Sequence, residues 1–454
     1  MTLGLIGIII GFCIVLFLTF KNVSTIILAP IACVVVAIFN QLNPVEAFTD
    51  TYVSGMMSVL GMLLPIILLG TILGKVYTQT GAAESLADGF IKVFVDRAQG
   101  ENKVRVAVAI IVVLSVLLCL GGIDGFIVLY TTFPIVVRIW KRLDMPRKYI
   151  PGMLMCATAA SVCPGAPVVQ NVIPMSILHT SSTAGLIPGI VATLIIGIGA
   201  WAITSVLCIK DMRKGVQFEY GDMPPVPEFD EDKKPNFFIA LLPIIVVFIL
   251  FAFVKLDISI ALSVGIIVAL VLMGRFVKYA GLPEGTKRGG KILATVNEGA
   301  MTSAGALFNI SVISGFAAVV AATTAFQTMA GSIVNLPIHP ILIVVAAIVI
   351  LVALTSSPPA GMTIILPILA SALLAGGSAA NAGILTPEMI HRVATIASVS
   401  FETLPFNGMI VIILSMTKLS HKEGYMPMFL ISCILPLIAA IVAALMYIVA
   451  PGLS

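Results

Sequence analysis

The chain has 454 residues, of which 59% are hydrophobic and 10% charged, with a formal net charge of +4 at pH 7. Soluble domains carry about 25% charged residues, and a water-exposed chain this apolar would present large sticky patches. These figures argue against a soluble enzyme, a nucleic-acid binder or a secreted scaffold. Uncharged runs of about 18 residues or more recur instead, each long enough to cross the hydrocarbon of a lipid bilayer as a helix, and they predict an all-α polytopic membrane protein.

Orientation follows from the cations. Residues 75–105, 138–148, 210–234 and 275–291 hold five Lys or Arg each, residues 418–422 hold two, and Lys21 brings the sum to 23 of 25. Segments 41–53, 179–183, 327–338 and 376–387 hold none. Lys and Arg mark cytoplasmic loops, so the basic segments are placed inside.

Taken in chain order, residues 2–20 run inward and 23–40 outward. The first run lacks the basic start and small-residue cleavage site of a signal peptide, and is read as a span. Residues 56–75 run inward and lead to an amphipathic surface stretch, 82–95. Two short apolar arms, 104–120 and 126–137, flank Gly-Gly-Ile-Asp-Gly (121–125) and have basic loops on both outer ends. That pattern predicts a re-entrant hairpin, because irregular backbone at membrane depth is tolerated only within protein or along a water-filled cavity. Residues 150–178 cross outward, interrupted by Ser-Val-Cys-Pro-Gly-Ala-Pro (161–167), whose prolines break a helix. Residues 184–209 return inward.

The second half repeats this plan upside down. Residues 237–254 run outward, 258–277 inward, and a surface stretch at 283–295 leads to an outward span at 300–325. Arms 341–354 and 362–374 flank Thr-Ser-Ser-Pro-Pro-Ala-Gly (355–361) and enter from outside. Residues 388–417 cross inward, interrupted at 400–408, and 426–449 form the last span. The two halves align at an offset of about 236 residues, through Ala-Ser-Val at both breaks. The expected organisation is an N-terminal repeat over 1–209, a cytoplasmic linker over 210–236 and an inverted repeat over 237–454. Inverted repeats with paired re-entrant hairpins and broken helices point to a secondary transporter whose site lies at the repeat interface. A channel is the competing reading, although channels more often assemble identical subunits around an axis. No cofactor motif, metal-type spacing or nucleophile constellation appears.

Of 21 Asp and Glu, three fall within apolar segments: Asp124, Glu402 and Glu298, the last at the cytoplasmic interface. Intramembrane carboxylates are functional candidates. Asp124 and Glu402 are therefore assigned to cation or proton coupling, against a helix-capping role for Asp124 and a structural ion pair for Glu402. Clustered hydroxyls, amides and glycines at the breaks read as a cavity lining. Gly122, Ser161, Gly165, Thr355, Ser356, Ser357 and Ser400 are expected to hold a carboxylate, and Asn171 and Asn407 to contact a substrate hydroxyl. Helix N-termini exposed by the breaks would supply partial positive charge. Arg392 is expected near the outer end of its helix, snorkelling to the surface. His179, His339 and His391 are expected near the outer surface and His421 near the inner one.

The stretch Leu-Leu-Gly-Thr-Ile-Leu-Gly-Lys-Val-Tyr-Thr-Gln-Thr-Gly-Ala-Ala-Glu-Ser-Leu-Ala-Asp (68–88) resembles the gluconate permease (GntP-type) family of the ion transporter superfamily. Residues 123–142 look like that family's first hairpin, with Asp124 at its acidic position, and Cys-Pro-Gly-Ala-Pro (163–167) is similar to its first break. The resemblance implies a dimer, a mobile transport domain and proton symport of a small organic anion, with Na⁺ as an alternative driver. Three departures shift the expected substrate from gluconate toward a shorter hydroxy acid. Val162-Cys163 stands where the family has a His, Ala353-Leu354 where it has an Arg, and Phe401-Glu402 where it has Asn-Asp. A cation/proton antiporter is the other functional reading. The hydroxyls at 355–357 favour an organic ligand over it.

The orientation is testable by accessibility labelling: a Cys placed between positions 225 and 232 should react with a membrane-impermeant maleimide only after the cells are broken. Labelling of intact cells would reverse the assigned sides.

Overall fold

Hydrocarbon offers the backbone no hydrogen-bonding partner, so an apolar chain closes its bonds within helices. All regular elements among the described residues are helical. The structure, a computed structural model, describes residues 2–21, 23–120, 125–166, 168–223, 234–252, 254, 256–278, 285–333, 336–374, 376–377 and 382–453. The first half comprises α1 (Thr2–Phe20), α2 (Thr25–Phe39), α3 (Val53–Thr80), α4 (Ala82–Phe90), α5 (Asn102–Leu120), α6 (Gly125–Arg142), α7 (Ile150–Leu154), α8 (Thr158–Ser161), α9 (Val169–Leu178) and α10 (Leu186–Met212). The second half comprises α11 (Phe237–Ala252), α12 (Ile258–Met273), α13 (Arg288–Ala322), α14 (Thr324–Ile333), α15 (Pro340–Thr355), α16 (Pro358–Leu373), α17 (Pro387–Ser398), α18 (Gly408–Thr417), α19 (His421–Phe429) and α20 (Leu435–Val449). Among the described residues four helical stretches are long and apolar enough to cross a membrane: Leu63–Thr80, Leu186–Met212, Ile258–Phe276 and His421–Val449. A fifth is added if α13 and α14, bent by 68° where they meet, count as one. The chain is a multi-pass membrane protein.

The most extensive helix pair is α3 with α13. Without a hydrophobic drive between helices in lipid, close backbone approach at small residues holds such pairs. A Cβ on Gly299 would lie 2.7 Å from the Cα of Ile72, one on Gly315 2.7 Å from the Tyr52 carbonyl oxygen, and one on Gly55 2.4 Å from the Ala318 methyl. Helices of both halves pack on this pair: α2 lies on α13 and α12 on α3, while α6 lies on α3 and α15 on α13.

Two expected boundaries are corrected. The surface stretch at 283–295 followed by a separate span is instead one 35-residue helix, α13, from Arg288. No proline interrupts Arg288–Ala322, and its glycines are accommodated because Gly299 and Gly315 are packing contacts. The second arm of the first hairpin does not stop at 137. It continues to Arg142, since Arg138 and Arg142 find carboxylates on α4, Glu84 and Asp88. The stretch at 82–95 is a helix followed by a π-helical turn, Ile91–Val95, with Leu86, Ala87, Ile91 and Val95 buried.

The basic ends carry the ion pairs. Lys75 binds Glu298 at 2.6 Å and joins α3 to α13. Lys148 binds Asp211 at 2.5 Å. Arg213 grips Glu101 through two hydrogen bonds of 2.6 and 2.8 Å, and this hydrogen bonding holds the Glu101 carboxyl below its usual range.

The central contact predicts a sharp difference between two glycines on one helix. Gly299→Val should destabilise the solubilised protein by about 1–3 kcal/mol, because the clash is with backbone. Gly305→Ala, where no atom lies within 4 Å of the added carbon, should be neutral or slightly stabilising. Thermal melts of the two variants in one detergent check this.

Candidate functional site

Two interruptions and one hairpin tip supply the polar atoms deep in the molecule. At the first break the chain leaves α8 at Ser161 and resumes as α9 at Val169. Gly165 takes a left-handed φ of 84° that its missing Cβ permits, and its amide donates to the Ser182 carbonyl at 2.8 Å. The freed carbonyls are claimed by side chains. The Asn171 amide donates to Cys163 at 3.0 Å and Ala166 at 2.9 Å. Its own oxygen accepts from Arg392 at 3.1 Å.

Arg392 is the corrected residue. It does not snorkel: it is 0% exposed. Its guanidinium donates to the carbonyls of Ala184 at 2.7 Å, Val162 at 3.0 Å and Ser182 at 3.2 Å, besides Asn171. Among the described residues no carboxylate pairs with it. His391 beside it is equally buried, 2.6 Å from the Thr180 hydroxyl and 3.4 Å from the Asn171 oxygen. It sits between the first break and the loop at 180–184. Position in α17 suggested exposure for both. The loop at 180–184 and the first break fold over that helix and enclose them. The available signal was that Arg392 is one of two cations outside the basic loops.

The α9 start is uncapped by any side chain. Asn171, the third residue of α9, points back to the break, which leaves the amides of Val169 and Gln170 as the free donors of that N-terminus. The surface beside Gly165 is open, with no atom within 4 Å of where a Cβ would stand. Ser161 is half-buried, and its hydroxyl lies 3.4 Å from the Ala157 carbonyl.

The second break, between α17 and α18, is braced in the same way by different residues. The Ser356 hydroxyl donates to the Glu402 carbonyl at 3.1 Å. Tyr425 donates to the Thr403 carbonyl at 3.0 Å, and the His421 ring nitrogen lies 2.8 Å from the Pro405 carbonyl. A π-helical turn, Leu430–Ile434, adds one residue to the helix, so consecutive Ser432 and Cys433 both face the Thr403 hydroxyl, at 2.6 and 3.3 Å. Asn407 caps α18 by accepting from Met409 at 2.8 Å and donates to the Ser356 carbonyl at 3.2 Å.

The structure thus brings Ser356, Glu402 and Asn407 together. Ser356 holds a left-handed φ of 49°, a conformation costing a non-glycine residue about 1–2 kcal/mol. Thr355 is buried and bonds the Leu351 carbonyl at 2.8 Å and the Ser357 carbonyl at 3.1 Å. Ser400 is buried, and its hydroxyl is donated to Ala397 at 2.6 Å. Pro358 and Pro359 open α16 and remove two of the amides that a helix start would offer an anion. Asn171 has no donor left for a substrate hydroxyl in this conformation. The Glu402 residue is half-buried. Gly122 and Asp124 lie outside the described residues.

The profile of the family described as "GntP family permease" matches residues 2–386. The chain belongs to the GntP permease family. This permease is similar to an uncharacterised transporter, YxjC, of Bacillus subtilis (strain 168), with 27% identity covering 95% of this chain and 96% of that one. Among solved structures it is similar to the YdaH transporter of Alcanivorax borkumensis at 15% identity and a TM-score of 0.41, covering 90% of each chain. A permease moves a solute across the membrane and performs no covalent chemistry on it.

Arg392 gives the site its most direct test. Arg392→Met would strip donors from the Val162, Ser182 and Ala184 carbonyls, and each buried group left unpaired costs about 1–3 kcal/mol. The variant should melt well below the parent, and Arg392→Lys should lose less. Equal melting temperatures for Met and parent would show that the break holds itself together without the guanidinium.

Proposed function

We propose that this permease is a cation-coupled symporter of a small organic carboxylate, a short hydroxy acid or gluconate, driven by H⁺. The observation that carries the reading is the enclosed Arg392 guanidinium, bonded to neutral oxygens with no described carboxylate paired to it. A buried cation left without an anion is costly and marks a functional position. Through Asn171 this charge stands at the first turn of α9, whose uncapped start adds the positive end of a helix dipole. A carboxylate bound there would meet the amides of Val169 and Gln170, with Ser161 and Gly165 alongside.

The second break supplies the coupling carboxylate in this reading. Glu402 lies next to the strained tip residue Ser356, and strain of this kind collects at binding and switching positions. Thr355, Ser400 and Asn407 belong to the site as residues that close over substrate, because their donors are already engaged within the protein, and Ser357, whose carbonyl accepts from Thr355, belongs with them. Opening of the bonds among Ser356, Glu402 and Asn407 would let the tip move relative to the break. Asp124 is retained as a second candidate for holding the cation. The oxygens around Glu402 also suit Na⁺, so Na⁺ is the alternative driver.

The reciprocal packing of α2 on α13 and α12 on α3 supports two inverted repeats, 1–209 and 237–454, joined by a cytoplasmic linker at 210–236. The paired arms α5–α6 and α15–α16 are then re-entrant hairpins. A homodimer in the inner membrane, working by an elevator motion of the hairpins and broken helices, completes the reading.

Proteoliposomes test it. Uptake of labelled lactate, glycerate and gluconate is measured under an inward proton gradient, and separately under a Na⁺ gradient with no pH difference. Parent protein should concentrate at least one of these acids on the proton gradient. Glu402→Gln should lose that accumulation and keep counterflow exchange, which needs no net proton movement. Undiminished pH-driven accumulation by Glu402→Gln would remove Glu402 from coupling. Accumulation of none of the acids on either gradient would overturn the symporter reading.

A further inference from the structure

Away from both breaks, a cavity of about 710 Å³ opens where α11 begins and α12 ends. Its lining includes Lys234, Asn236, Arg275 and Lys278 as polar groups, with Ile239 and Phe276 as apolar ones. Three cations face it and no described lining residue is a carboxylate. They are held in place by the fold. Lys234 is anchored to Asp88 at 2.7 Å, with Glu84 at 3.7 Å. The Arg275 guanidinium rests over the Phe276 ring, 4.6 Å from its centre. The Lys278 backbone amide is fixed by the Gln79 carbonyl at the end of α3, at 2.8 Å. Among the described residues, Glu84 and Asp88 are shared with Arg138 and Arg142, so these two carboxylates serve three cations.

Exposed apolar residues continue from the cavity along both helices. Phe238, Leu242, Ile245 and Ile249 form one exposed stripe along α11, and Ile260, Ile267 and Val271 another along α12. Phe238 is 78% exposed and Val271 70%, both beside the cavity end of their helices. A free anion would have no use for such stripes. A molecule with a phosphate at one end and hydrocarbon at the other matches both parts, and basic pockets between membrane helices suit anionic lipid head groups.

We propose that this cavity binds the head group of an anionic phospholipid, with Arg275 and Lys278 on the phosphate and Asn236 on a head-group hydroxyl, while the acyl chains lie along the α11 and α12 stripes. This inference does not depend on the transported substrate.

Native mass spectrometry of the intact protein in a neutral detergent tests it, with dioleoyl phosphatidylglycerol, dioleoyl phosphatidylcholine or inorganic phosphate added. The parent should retain phosphatidylglycerol over phosphatidylcholine by about tenfold or more, at roughly fivefold per surface cation. R275Q/K278Q should bring the two lipids to within about twofold, whereas R275K/K278R should keep the preference. R105Q/K210Q removes the same number of charges elsewhere on the basic face and should also keep it. Equal retention of both lipids by the parent, or an unchanged preference in R275Q/K278Q, overturns the site. So does a thermal shift from inorganic phosphate alone as large as that from phosphatidylglycerol, which would assign the cavity to a soluble anion.

Discussion

A helix interrupted away from water leaves carbonyl and amide groups that nothing outside the protein will satisfy, and most of the buried polar chemistry here answers that constraint. Val162, Cys163 and Ala166 at the first break hand their carbonyls to Arg392 and Asn171. Glu402, Thr403 and Pro405 at the second hand theirs to Ser356, Tyr425 and His421. The first break is closed by a charged group and an amide, the second by hydroxyls and rings. That difference gives the two breaks different electrostatics.

The braces also tie the halves together. Arg392 and His391 belong to α17 and reach the first break, and Thr395 on the same helix bonds the Gln170 carbonyl at 3.0 Å. The first break therefore rests on a helix from the other half. The second break is bonded to the tip between α15 and α16 through Ser356 and Asn407, and to the last helices through Ser432 and Tyr425. By contrast, α3 and α13 meet through glycines and alanines. Among the described residues the ion pair between the two helices is Lys75–Glu298, which is partly exposed.

Engaged donors alter what the polar residues can do. A hydroxyl already donated to a carbonyl, as in Thr355 and Ser400, stabilises the backbone and has nothing left for an anion until that bond breaks. Backbone amides at the uncapped α9 start have no such competitor. In the proposed reading the anion therefore binds at the first break instead of at the hydroxyls of the second tip.

What the sequence by itself determined was whatever depends on composition and local breakers. The apolar runs set a polytopic helical protein, and Pro164 and Gly165 set the first interruption. The family was legible in the same blocks, residues 68–88, 123–142 and 163–167. Tertiary structure alone decided which polar group meets which. His391 and Arg392 look superficial because they stand within a turn or two of the α17 start, and no periodicity rule says that residues 180–184 fold over them. Ser356, Glu402 and Asn407 are separated by up to 51 residues and meet only because the tip packs on the break. The length of α13 was also decided by the tertiary structure, where Gly299 and Gly315 pack against the backbone of Ile72 and Tyr52.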